Sequence, residues 1–223
     1  MDDRKIQIFI DSLLPLLQAG VAFTIPLTLI SFVLGLTLAV LTAIARLSGW
    51  SVLRLTARLY VWIIRGTPLL VQLFIIFYGL PAVGVTLEPF PAAVIGFTLS
   101  VGAYGSEIIR AAILSIDEGQ WESAYSLGMT RIQALRHIIL PQAARVSVPS
   151  LGNSFISLVK DTSLAAMVTY SEMFRKAQEI TATTYEPLLV YSEAGLIYLL
   201  FSTVLSALQN HLEKRFDRFT AKS

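Results

Sequence analysis

Five apolar stretches, each close to or above the length of a membrane-crossing helix, constrain this chain more than any other feature. A helix needs about 20 consecutive apolar residues to cross the hydrocarbon core. The stretches run roughly from Gly20 to Ala45, Leu59 to Leu80, Pro91 to Ile116, Val148 to Tyr170 and Pro187 to Leu208. Polar gaps near 46–58, 81–90, 117–147 and 171–186 separate them. Lipid offers the backbone no hydrogen bonds, so such runs must become helices or a closed barrel, and stretches of this length become helices. Composition agrees: 55% of the residues are hydrophobic and 14% charged, against about 25% charged in a soluble domain. The expected fold is all-α and integral to the membrane, with five transmembrane helices.

The apolar stretch Ile6 to Leu17 carries Asp11 and Pro15 and is too short to span. It lacks a clear small-residue cleavage site, so no cleavable leader is expected. The reading is an external or interfacial helix over 1–19, a transmembrane domain over 20–210 and a basic tail over 211–223. Cytoplasmic loops retain positive charge. One side would hold Arg46, Arg54, Arg58, Arg131, Arg136, Arg145, Lys214, Arg215, Arg218 and Lys222, ten cations; the other holds Arg4, Lys5, Arg175 and Lys176, four. This bias places the N-terminus outside, the C-terminus inside and the 117–147 segment in the cytoplasm. There is no Cys, and the two His, at 137 and 211, are too few and too distant to suggest a metal centre. A net charge of +2 does not suggest a nucleic-acid partner.

In the first span Ser31, Gly35, Ala39 and Ala43 recur every four residues, a stripe that lets a second helix approach closely. The polar insert after the third span carries two N-terminal helix signals, Asp117 with Gln120 and Thr130 with Gln133. It reads as two short helices broken at Gly128, which suits a left-handed C-terminal position; Pro141 is expected to stop the second. Ile132, Leu135, Ile138 and Ile139 share a face of that second helix. Ala124, Leu127 and Gly128 would give a small, smooth surface beside Glu122. Such an element either lies in a groove of a soluble partner or rests on the lipid headgroups, and the residues alone leave both readings open.

The pattern Glu122-Ser123-Ala124, three residues, Gly128, nine residues, Ile138-x-Leu140-Pro141 resembles the EAA loop of ABC-importer permeases, with Ser123 where that family usually has Ala. Arg65-Gly66-Thr67-Pro68-Leu69 with Gln72, Tyr104 with Glu107 and Arg110, and Lys160-Asp161-Thr162-Ser163 resemble signatures of its polar amino acid subfamily. The runs Ile116 to Glu122 and Asn153 to Leu164 are similar to L-cystine permeases. The resemblance implies type I importer architecture in a bacterial inner membrane. It implies a second permease subunit (a homodimer, with a heterodimer as the alternative), two ATPase subunits and an external amino-acid-binding protein. It also implies that Glu122, Ser123, Ala124, Gly128, Ile138, Leu140 and Pro141 couple to the ATPase. The chain has no G-x-x-x-x-G-K-[ST] loop, so ATP and magnesium would be bound by the partner, and this chain is expected to hold no cofactor and to be no enzyme.

Charges inside spans are expensive and usually face a pathway or a partner. Arg65 lies about 10 Å into the second span and Glu107 about 13 Å into the third, at 1.5 Å per residue; these depths predict an ion pair, which Arg110 could share. The pair would either read a zwitterionic amino acid or fix helix register. Lys160, Asp161, Thr162 and Ser163, with Thr67, Gln72 and Tyr104, complete the expected pathway residues. Thr162 and Ser163 would line the route or bond to their own helix. Glu193, near the outer end of the last span, reads as solvated. Pro68 should free a carbonyl and permit a bend. A different class, an ion-coupled transporter relaying through Glu107, Arg110, Lys160 and Asp161, is opposed by five spans that form no even inverted repeat.

Overall fold

The structure, a computed structural model, describes residues 3–217. Among the described residues every regular element is helical. Helix α1 (Asp3–Ala19) passes through one π-helical turn, Gly20–Thr24, directly into α2 (Ile25–Leu47). The N-terminal segment, expected as an external or interfacial helix over 1–19, is helical and runs on into α2 as part of a continuous 45-residue helix. The reason is packing: Leu16 and Ala19 are buried against Met173, Ala177, Val190, Ala194 and Ile197.

The second apolar stretch is not one straight span. Helix α3 (Ser51–Gly66) starts well before Leu59, and α4 (Leu69–Phe74) follows it at a break. From Leu69 the helical path continues through a π turn and a 3-10 turn to Val83 and is bent by 105° from α3. The cause is local. Pro68 disfavours the helical conformation in the preceding residue, and Thr67 is extended at φ −122°, ψ 146°. Gln72 repairs the break: its Nε2 donates to the carbonyl of Ile64 at 2.8 Å, the carbonyl of Thr67 at 3.1 Å and the Thr67 hydroxyl at 2.9 Å.

Helix α5 (Pro89–Leu114) matches the third expected span to within two residues at each end. It packs along α2 through the small-residue stripe, whose members Ser31, Gly35, Ala39 and Ala43 are all buried. A Cβ on Gly35 would lie 2.5 Å from the Val101 Cβ and 3.2 Å from the Thr98 carbonyl, so the two backbones touch there because the side chain is absent. Gly35→Ala should lower stability by about 1–3 kcal/mol, the usual range for overpacking. A melting temperature in detergent equal to wild type would refute the close contact.

The insert holds α6 (Glu118–Ser126) and α7 (Arg131–Ala134). Contrary to expectation, Pro141 does not stop the second helix. A π turn, Leu135–Ile139, carries it on into α8 (Leu140–Asp161), and Pro141 sits near the start of α8, beside backbone that the wider turn has already displaced from the α-helical ladder. The fourth expected span, 148–170, therefore begins at Leu140 and loses α-helical form at Asp161, where a 3-10 segment, Thr162–Val168, takes over. Helix α9 (Met173–Thr184) and α10 (Pro187–Asp217) complete the chain. Of the expected tail, residues 218–223 lie outside the described residues. Among the described residues three helical runs are sufficient by length and hydropathy to cross a bilayer, Asp3–Leu47, Pro89–Leu114 and Pro187–His211, and the bent α3–α4 pair supplies up to a fourth.

Three buried clusters run along the bundle. One joins α1, α9 and α10. The second centres on Leu27, Leu73, Phe97, Leu158 and Val168. The third, next to the insert, centres on Ala39, Ala43, Ile109, Ile113 and Ile139.

Two carboxylates are buried at the end away from the insert. Glu193, expected to be solvated, is 2% exposed and accepts a hydrogen bond from the Ser12 hydroxyl; the passage of α1 alongside α10 encloses it. Glu172 caps α9. It accepts the N–H of Phe174 at 2.8 Å, the N–H of Arg175 at 2.7 Å and the Tyr198 hydroxyl at 2.7 Å. Burial outweighs these donors and pushes the Glu172 carboxyl up from 4.5 to about 7. The folded state thus keeps a proton that the unfolded chain releases. Its stabilising effect is full below about pH 4.5 and is lost as pH rises through about 7. The melting temperature should fall further between pH 5 and 8 in wild type than in Glu172→Gln; equal falls would exclude this carboxyl as the source.

Candidate functional site

The exposed part of the insert is built by well-formed caps. Asp117 Oδ1 accepts the N–H of Gly119 at 2.8 Å, which starts α6. Gln120, expected to reciprocate, instead accepts from Gln142 on α8 at 3.0 Å and ties the two helices together. At the other end Gly128 has φ +76°. The Gly128 N–H reaches the Tyr125 carbonyl at 2.9 Å and the Met129 N–H reaches the Ala124 carbonyl at 3.1 Å, which together close the helix as a Schellman turn. Thr130 and Gln133 form the complete capping box expected of them.

These caps decide which side chains face outward. Glu122, Ser123, Leu127 and Gly128 are exposed, and Leu127 is 77% exposed. Ala124, expected on the smooth outer surface, is buried; its small size fits the inner side of α6. Ile132, expected to share an apolar face with Ile139, is exposed while Ile139 is buried, because the π turn between them shifts the register. Ile138 and Leu140 pack on the cluster beneath, and Pro141 is exposed. A groove of ≈ 760 Å³ runs beside α6, lined by Trp50, Trp121, Glu122, Tyr125, Arg131 and Ile132 among others.

About three helical turns inward from the insert along α5, the expected Arg65–Glu107 pair is present at 3.5 Å. It is part of a larger cluster. Arg110 donates from Nε at 3.1 Å and Nη2 at 3.0 Å to Glu107 Oε2, and Arg46 donates to Glu107 Oε1. Helices α2, α3 and α5 therefore meet on one carboxylate. The polar gap expected over 46–58 would put Arg46 in a loop, whereas it lies in α2. Its signal was helical spacing: Arg46 lies three and seven residues after Ala43 and Ala39 and so continues the stripe that faces α5. The cluster holds three guanidiniums and one carboxylate, 3 − 1 = +2. The Arg65 guanidinium also lies over the Tyr104 ring, 5.2 Å from its centroid.

Tyr104 opens onto a cavity of ≈ 440 Å³ between α2, α4, α5 and α8, lined with Ser100, Asn153, Ser154, Ser157 and Asp161 as well as apolar side chains. The expected pathway residues divide here. Tyr104 and Asp161 line the cavity. Lys160 and Ser163 are not in its lining. The Thr162 hydroxyl donates to the Val159 carbonyl of its own helix at 2.7 Å. Gln72 and Thr67 are occupied by the α3–α4 break. Among the described residues Lys160 and Asp161 form no ion pair with the Glu107 cluster, so the four charges do not form a continuous relay.

Residues 35–218 match the family described as binding-protein-dependent transport system inner membrane component. The chain belongs to this family. It is 56% identical over 209 residues to the L-cystine transport system permease protein TcyB of Bacillus subtilis (strain 168), covering 93% of this chain and 89% of that protein. It is 36% identical over 204 residues to the glutamine transport system permease protein GlnP of Escherichia coli (strain K12), covering 91% and 93%. A solved amino acid ABC transporter with histidines superposes with a TM-score of 0.83 at 34% identity over 94% of each chain. The MetNI methionine ABC transporter shares the fold, with a TM-score of 0.69 at 20% identity over 96% of this chain and 99% of that one. This permease is thus the multi-pass membrane subunit of an ABC importer with the type I fold. It is a transport subunit rather than an enzyme, and its ATPase is a separate polypeptide. Membership also sets aside the ion-coupled transporter alternative.

Proposed function

We propose that this permease imports a polar amino acid, L-cystine in the first instance, across the bacterial cytoplasmic membrane. The observation that carries the substrate assignment is the 56% identity to an L-cystine permease over 93% of the chain. The N-terminus faces out and the insert faces the cytoplasm, an orientation that the cation bias supports. Two copies of the permease form the pathway, an external binding protein delivers the substrate, and two ATPase subunits dock on α6. Glu122, Ser123, Leu127 and Gly128 form the docked surface; Ala124, Ile138 and Leu140 shape it from beneath, and the exposed Pro141 flanks it at the start of α8. ATP turnover moves the insert, and the rigid helices above it alternate access.

Within the membrane the amino acid passes through the cavity beside Asp161, whose carboxylate suits its ammonium group. Glu107 does not serve that role, because three guanidiniums already occupy both its oxygens. The test is uptake of labelled L-cystine into proteoliposomes holding the permease, its ATPase and its binding protein. Uptake should stop when internal ATP is withdrawn and should persist when the proton gradient is collapsed. Gradient-driven uptake without ATP would refute the coupling, and import of other amino acids but not L-cystine would refute the substrate.

A further inference from the structure

The Glu107 cluster holds more positive charge than a structural ion pair needs. A net +2 within an apolar span is costly unless an anion balances it. Arg46 and Arg110 are tightly committed to Glu107. Arg65 is not: only its Nη1 approaches, at 3.5 Å, and its side chain is 43% exposed. A guanidinium has five donor hydrogens in a planar fork, so Arg65 keeps a free edge. The Tyr104 ring lies beneath it, its centroid 5.2 Å from the guanidinium carbon, and holds the cation on its face.

Position gives the excess charge a direction. Ser100, Val101 and Tyr104 of α5 line the cavity. Glu107 and Arg110 lie about 4.5 and 9 Å further along the same helix, at 1.5 Å per residue, on the side of the insert. Moving from cavity to insert, a solute meets the Asp161 carboxylate and the Tyr104 face, then the guanidinium edge. Acid first and base beyond is the charge order that a zwitterion can follow end to end.

We propose that Arg65, backed by Arg46 and Arg110, is a carboxylate-binding station at the inner end of the translocation cavity, which takes the α-carboxylate of the amino acid as it leaves. This rests on the reading that the amino acid occupies the cavity beside Asp161. Arg65 thereby selects for substrates that carry a carboxylate and rejects free amines.

The test is equilibrium binding to the permease–ATPase complex in phosphatidylcholine nanodiscs, without the binding protein. The probes are L-cystine, L-glutamine and L-histidine, each beside its methyl ester, and the tightest acid is used throughout. Wild type should prefer the acid over its ester by about tenfold or more, as expected of a charge-assisted fork. Arg65→Gln should erase that preference while still copurifying with the ATPase and melting close to wild type, which shows that the variant is folded; Arg65→Lys should retain part of the preference. Asp161→Asn should weaken acid and ester alike. An acid preference that survives in Arg65→Gln overturns the station, and if Asp161→Asn still weakens both ligands, the cavity reading stands without it. Loss of the preference in Arg65→Gln, with no effect of Asp161→Asn, supports the station and removes Asp161 from the pathway. Failure of every acid to bind wild type overturns both.

Discussion

Gly128→Arg should abolish copurification of the ATPase and reduce uptake by at least about tenfold, while the permease itself remains folded. The two effects separate because of where Gly128 sits. A Cβ there meets nothing within 4 Å, so a side chain clashes with no neighbour in the permease. Its φ of +76° costs a non-glycine residue about 1–2 kcal/mol of backbone strain. The arginine therefore projects from the exposed turn beside Leu127 and Ser123, onto the surface proposed to dock. Gly128→Ala carries the same strain without the long cation. It should bind the ATPase normally and lower the melting temperature only slightly. If Gly128→Arg retains the ATPase and transports at the wild-type rate, the turn is not the docked surface.

Glu107→Gln should have the second largest effect, and on stability first. It leaves three guanidiniums around a neutral amide, a local charge of +3. Removing one partner of a fully buried pair costs about 3–5 kcal/mol. The Glu107 side chain is 22% exposed, which moves the expectation to about 2–3 kcal/mol after solvent screening. The melting temperature and the yield of assembled complex should fall together. Arg46→Gln in the same chain removes the least exposed orphan cation and should recover part of the loss. An unchanged melting temperature with transport abolished would mean that Glu107 acts on the substrate and not on helix register.

How far these features were legible in the sequence depends on the range of the forces behind them. The α2–α5 contact was legible because small residues at a four-residue period describe a surface independently of what meets it. The Arg65–Glu107 pair was legible because depth follows from counting along helices, and lipid leaves few other partners at that depth. The caps at Asp117, Thr130 and Gly128 are local and came through intact, except that Gln120 found a distant partner in Gln142. The misses share one cause. Pro141, Ile132 and Arg46 were read on an ideal helical register that ended where polarity began. The register shift at Leu135–Ile139 and the continuation of α2 as far as Leu47 are set by packing of the third cluster, a tertiary effect. Glu193 was misread for the same reason: its solvent is displaced by α1, a helix 181 residues away in sequence. The cavity was the least legible feature, since Asn153, Ser154, Ser157 and Asp161 come together with Tyr104 only when α8 lies against α5.

The break at Pro68 bears on how the protein is made. During synthesis a segment enters the bilayer on its own merits, and it must be long enough to reach across. Helix α3, at 16 residues, reaches about 24 Å, and the helical path from Leu69 to Val83 about 22 Å. Neither alone matches a hydrocarbon core about 30 Å thick, so only the two arms together, bent by 105°, can serve as one span. The pair is therefore expected to settle only when α5 emerges from the ribosome and the Tyr60 hydroxyl can donate to the Leu99 carbonyl. The order of translation thus becomes part of the folding of this region, and a nascent chain arrested before α5 should leave α3 and α4 open to proteolysis.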